Sequence, residues 1–139
     1  VNAAQAWSAV VSGEDAAIYA YSVAGARVDS GDRRQAQAGL ESHRQRRSRA
    51  ALLTEQAGAS PPAGVVAFAL PTDVDRPRGA RRLLAEVENA LVAVYADAAA
   101  AASGPDRRWA ARAAADCAVA AVGWGAPPQA FPTSAQSGQ

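Results

Sequence analysis

The chain holds one cysteine and one histidine among 139 residues, and all 14 of its basic residues are arginine. With Cys117 alone no intrachain disulfide can close, so a disulfide-built secreted scaffold is excluded and the thiol reads as a small buried hydrophobe. With His43 alone, any centre that needs two imidazoles is excluded. Apolar runs fall well short of the roughly 18 residues of a membrane span, so no membrane partner is expected. An excess of one charge is also missing: 14 basic residues against 13 acidic ones leave +1, which gives no electrostatic case for nucleic acid. Aromatic stacking residues are absent from the arginine-rich stretch 33–49, which therefore reads as solvated surface. The opening VNAAQAW has neither a positive segment nor a continuous apolar one, so no signal peptide is expected here and the expected location is cytoplasmic, with any targeting region before residue 1 left open. Phosphate-binding motifs are lacking too: Gly104-Pro-Asp-Arg-Arg is a turn into a helix, without the P-loop lysine or dinucleotide spacing. Nor does a strained nucleophile turn accompany Ser8, Ser12 or Ser22, so serine with His43 and Asp116 does not make a hydrolase.

What is present is alanine at helical spacing. Half the residues are apolar, and alanine favours closely packed helices over sheet. Trp7, Val11, Glu14, Ile18, Tyr21, Gly25 and Val28 alternate at intervals of four and three, which predicts a helix over about 3–28. Asp29-Ser-Gly-Asp32 breaks it, and Ala36, Leu40, His43, Arg47, Ala50 or Ala51, and Thr54 carry a second helix over about 32–57, closed by Gly58. A third, over about 78–102, places Leu84, Val87, Leu91, Val94 and Ala98 on one side, with Pro77 acceptable in its first turn. A fourth, over about 106–124, runs through Trp109, Ala113, Asp116, Cys117, Ala120 and Trp124. The three tryptophans read as bundle-end core. Residues 1–125 thus form one four-helix domain, and 126–139 read as a flexible tail in which Phe131 could dock.

The connections are unequal. Short turns make antiparallel hairpins of helices 1 and 2 and of helices 3 and 4, while 18 residues, 59–76, lie between the hairpins. A 25-residue helix is about 38 Å long and 18 extended residues reach about 60 Å. The connection can therefore return along the bundle, leaving helices 2 and 3 parallel in the one-crossover topology of ferritin-like bundles. Its apolar stretch Val65 to Leu70 would cover a seam on the way. A plain up-down bundle with a lid at one end is the alternative.

Polar groups fall at mid-height. Glu14, His43, Glu88 and Asp116 each lie near the middle of a helix, and helix midpoints share a level whichever way the chain runs. Glu14, His43 and Asp116 sit on the apolar stripe, and Glu88 flanks it on the side of Leu84, Leu91 and Tyr95. A buried carboxylate must pair, share hydrogen bonds or protonate. One solution is a buried network of Glu14, Tyr21, His43, Arg47 and Asp116, with Glu14 on Arg47 and Asp116 on His43. The other is a mononuclear iron, manganese or zinc site from Glu14, His43, Glu88 and Asp116. A di-iron centre fails, because Leu40 and Val119 stand where its Glu-x-x-His pairs need partners.

The segments GEDAAIYAYSVAGAR (13–27), AGLESHRQRR (38–47), the AFALP crossover ending at Pro71, and RLLAEVEN (82–89) resemble an uncharacterised ferritin-like domain family of actinobacterial proteins, over roughly residues 4 to 124. The resemblance implies a ferritin-like four-helix bundle, with Glu14, Tyr21, His43 and Arg47 as core-polar sites, and neither iron storage nor oxidation. The expectation is a noncatalytic structural or interaction protein with no catalytic residue and no cofactor; the alternative is a degenerate metal-binding, redox-related protein. Alanine-rich outer faces permit close helix approach and so a homodimer through helix faces, without selecting the face.

Overall fold

The computed structural model describes residues 1–64, 70, 71 and 73–129. Helix α1 spans Ala3–Ala24, α2 Arg33–Gln56, α3 Pro77–Ala101 and α4 Gly104–Gly123, with a 3-10 turn at Ser30–Asp32 before α2. Among the described residues there is no strand.

Local chemistry fixes the helix ends. Asn2 and Gln5 form a reciprocal capping box on α1, with N···O distances of 2.9 and 3.1 Å. Helix α1 stops four residues before its periodicity predicts. From Gly25 the chain turns, and the N–H groups of Arg27 and Val28 both reach the Ala24 carbonyl, so that Val28 stays in the core without being helical. Gly58, at φ +87°, closes α2: its N–H bonds Glu55 O and that of Ala59 bonds Thr54 O, a left-handed cap that suits glycine. Pro77 opens α3, where its missing N–H costs nothing.

Helix α1 packs against α2 and α3, and α3 against α4. Cross-helix contacts set the directions. Glu14 meets His43 while Tyr21 faces Gly39, so α1 and α2 are antiparallel. Arg27 pairs with Asp75 just before α3 while Glu14 bonds Tyr95 near its far end, so α1 and α3 are antiparallel as well. Helices α2 and α3 therefore run parallel, and the molecule is a ferritin-like four-helix bundle with a long crossover between them. Of that crossover, Val74 is buried against the core; the expected seam cover, Val65 to Ala69, lies outside the described residues. So does the tail beyond Gln129, while Ala126 packs on the core.

The buried interior is in two parts. Trp7, Val10, Val11, Leu53, Leu91, Tyr95, Ala110 and Cys117 belong to one, and Tyr21, Ala24, Val28, Ala36, Leu84 and Trp124 to the other. Glu14, His43 and Glu88, all buried, lie between them. One seam stays wide: no Cα of α2 comes within 8 Å of one in α4. Long side chains span it instead, among them Arg49, stacked 4.6 Å from the Trp109 ring centre. No helix among the described residues is long and apolar enough to cross a membrane.

Candidate functional site

The sole histidine bridges two carboxylates from two other helices. His43 Nδ1 lies 2.6 Å from Glu14 Oε2, and Nε2 lies 2.8 Å from Glu88 Oε1. Both carboxylates also accept a phenol: Tyr21 donates to Glu88 Oε1 at 2.7 Å, and Tyr95 donates to Glu14 Oε1. Trp124, just past the end of α4, donates its indole N–H to the Tyr21 oxygen at 2.7 Å. The result is one hydrogen-bonded chain, Trp124 to Tyr21 to Glu88 to His43 to Glu14 to Tyr95, which touches all four helical segments.

Sequence spacing builds this chain. Glu14 and Tyr21 are seven apart on α1, and so are Glu88 and Tyr95 on α3, which puts each pair on one helix face two turns apart. Because α1 and α3 are antiparallel, each tyrosine serves the glutamate of the other helix. Between α1 and α2, Gly39 makes room: a Cβ there would stand 2.4 Å from the Tyr21 ring, so any side chain would displace the phenol.

The hydrogen bonds decide the charge state. A carboxylate at each imidazole nitrogen requires an N–H on both, which is the imidazolium. Burial opposes that charge, but the hydrogen bonds to Glu14 and Glu88 outweigh it and push His43 up to about 9. For Glu88, burial works against ionisation, and the hydrogen bond and charge of His43 overcome it, holding the carboxyl below its ordinary range. Tyr21 and Tyr95 are pushed up, first by burial and then by the facing carboxylates, and remain phenols. Cys117 is likewise pushed up by burial and then by Glu88, so its thiol is not reactive.

Two residues expected in the layer stand outside it. Asp116 has a side chain 58% exposed and faces Arg46 at 3.6 Å, far from the role of His43 partner. The buried stripe of α4 is Ala110, Ala113, Cys117 and Ala121, one position round from the expected one. A helix that is alanine on nearly every side can turn its aspartate to water and still bury methyls. Arg47 is a third exposed and pairs with Asp15 at 2.9 Å, so Glu14 takes its compensating charge from His43. Three members of the chain were not expected in the buried network: Glu88, offered only as a metal ligand, and Tyr95 and Trp124; the repeated Glu-x6-Tyr spacing is the signal for Glu88 and Tyr95.

The donor set does not fit a metal. Glu14, His43 and Glu88 come together, but both imidazole nitrogens face carboxylate oxygens at hydrogen-bond distance, which leaves the ring no lone pair for a cation. Asp116 is too far out to complete a set, and among the described residues no group of three or more His, Cys, Asp or Glu is arranged to hold one. The arrangement can hold helices in register and keep a buried proton on His43.

A family model described as a domain of unknown function, DUF4439, matches residues 6–136. The fold is similar to the crystal structure of a conserved hypothetical protein, rv2844, from Mycobacterium tuberculosis, with 27% identity and a TM-score of 0.81 over 88% of this chain and 94% of that one. No curated protein matches.

Proposed function

The chain belongs to the DUF4439 family, and from that premise we propose that it is a noncatalytic bundle with a structural or interaction role, in which the Glu14, His43 and Glu88 chain fixes helix register. One observation carries this reading: each nitrogen of the only imidazole is held by a carboxylate of another helix. Both ring nitrogens of His43, both oxygens of Glu14 and Oε1 of Glu88 are thereby engaged with one another or with Tyr95 and Tyr21. Removing one partner of such a set leaves a buried charge uncompensated and costs about 3–5 kcal/mol, so the layer punishes any slip of α2 against α1 or α3. Tyr21 and Tyr95 add to the same lock across the α1 and α3 interface.

Metal analysis of protein prepared without chelators, together with Glu14→Gln and His43→Ala, tests the proposal. Metal-free protein that loses stability in both variants supports it. Stoichiometric iron, manganese or zinc that disappears in both variants would overturn it in favour of a metal-binding protein. A cytoplasmic location goes with this reading and is tested by cell fractionation.

A further inference from the structure

Opposite their buried stripes, α3 and α4 turn a shared face to solvent. Val119 and Val122 stand on it, 73% and 44% exposed, and Val92 lines a groove of about 330 Å3 beside them. A valine left in water forgoes most of what its side chain gains on transfer, so two of them one turn apart on one face point to a cover. Leu52, the other large apolar side chain exposed on a described helix, has no such company: Ser48, Arg49, Glu55 and Gln56 lie one turn from it. The middle of the α3 and α4 face is also free of charge. Between Glu88 and Asp97 helix α3 carries none, and beyond Arg112 helix α4 carries only Asp116, which turns to Arg46 across the seam with α2.

The edges of this face carry opposite signs. Glu86 and Asp97 border it on α3, and Arg108 and Arg112 on α4; all four are exposed and none makes an ion pair among the described residues. The height of α4 against α3 is set by Arg107, which bonds the carbonyls of Ala99 and Ala102, and by Val119, which shares the groove with Asn89 and Val92. On this register Asp97 stands level with the turn from Arg108 to Arg112. We propose that the face binds a second copy of itself about a two-fold axis parallel to the helices. That axis carries each α3 onto the α4 of the other copy, so Asp97 of each meets Arg108 and Arg112 of the other. Val119 then falls at the height of Asn89 and Ala93 of the other copy, where the small alanine allows close approach. A two-fold across the helices would instead lay α3 along α3, acidic edge to acidic edge. Glu86, lower on that edge, keeps Arg82 of its own helix one turn away. The inference rests on the interaction role proposed above and gives it a partner, without drawing on the polar layer.

Sedimentation equilibrium of the full chain between about 1 and about 200 µM tests this, with a monomer and dimer expected to exchange at a dissociation constant on the order of 10 µM. Val119→Glu puts a charge into the face, and Asp97→Arg sets three positive charges together; each is expected to weaken association about ten-fold or more. Combining Asp97→Arg with Arg108→Asp and Arg112→Asp exchanges the signs across the edge, and should restore the parent's constant to within about three-fold. All of these side chains are exposed, so association is read on folded protein, and the restored dimer excludes unfolding as the cause of its loss. A monomer throughout the range, a dimer indifferent to Val119→Glu, or no recovery in the triple variant would each overturn the proposal. So would a monomer whose Phe131 ring shows NOEs to the Val119 and Val122 methyls, because residues 130–139 of the same chain would then be the cover. None of these outcomes bears on the metal and stability tests of the polar layer, so the two readings fail separately.

Discussion

Raising the pH from neutrality should withdraw a defined part of the stability. His43 holds its proton to about 9 in the folded chain, against 6.5 for a free imidazole. The difference, 9 less 6.5, corresponds to about 3 kcal/mol at roughly 1.36 kcal/mol per unit. Since the folded value is the higher one, the contribution is complete below 6.5, where both states are protonated, and is lost as the pH climbs through 9. The groups against His43 are Glu14, Glu88 and the Tyr21 ring, and Tyr95, Cys117 and Arg46 lie near those two carboxylates. Of these, the thiol and the phenols are raised by burial, so they stay protonated in the fold and subtract stability only where the unfolded chain begins to ionise them. Cys117→Ala removes the thiol's share of that overlap. Urea unfolding of this background between about pH 6 and pH 9 should show the unfolding free energy falling by about 3 kcal/mol. In the same background, His43→Leu combined with Glu14→Gln and Glu88→Gln, which leaves no buried carboxylate to take up a proton in place of the imidazole, should be nearly flat over that range. A flat curve in the parent, or an equal slope without His43, would refute the reasoning.

Gly39→Ala should destabilise the chain by about 1–3 kcal/mol, because its methyl would press on the Tyr21 ring; the quenching and wavelength of Trp124 emission, coupled to Tyr21, should change with it. Tyr95→Phe leaves Glu14 Oε1 buried without its donor and should cost about 1–3 kcal/mol in urea unfolding. Asp116→Asn removes only an exposed, long ion pair and should change stability by less than about 0.5 kcal/mol, whereas a layer that included Asp116 would make this variant as damaging as Tyr95→Phe.

Much of the fold was legible because charges in α1 and α2 broke otherwise apolar stripes at definite positions. Glu14 could not face water without taking Val11 and Tyr21 with it, and His43 was tied in the same way to Ala36 and Ala50. The length of the 59–76 connection did the same for topology, since it spans a return along the bundle, whereas an up-down bundle would have left it as a large lid at one end. Helix α4 was opaque for the opposite reason: with alanine on most faces, nothing in its periodicity chose between burying Asp116 and burying Ala110 and Ala121. Pairing within the layer was hidden as well. Charge alone offered Arg47 to Glu14, whereas the available space admitted the flat imidazole between two helices and sent the longer guanidinium outward to Asp15. The repeated Glu-x6-Tyr spacing carries information only once α1 and α3 are known to be antiparallel neighbours.

The lone histidine makes the central claim directly measurable, because one residue supplies every imidazole signal. Long-range 1H–15N correlation spectra of His43 at pH 7.5 should show both ring nitrogens protonated, with two slowly exchanging, strongly downfield N–H protons that persist to about pH 9. A neutral ring with one bare nitrogen at that pH, titrating near 6.5 as a free imidazole does, would contradict a closed Glu14, His43 and Glu88 chain.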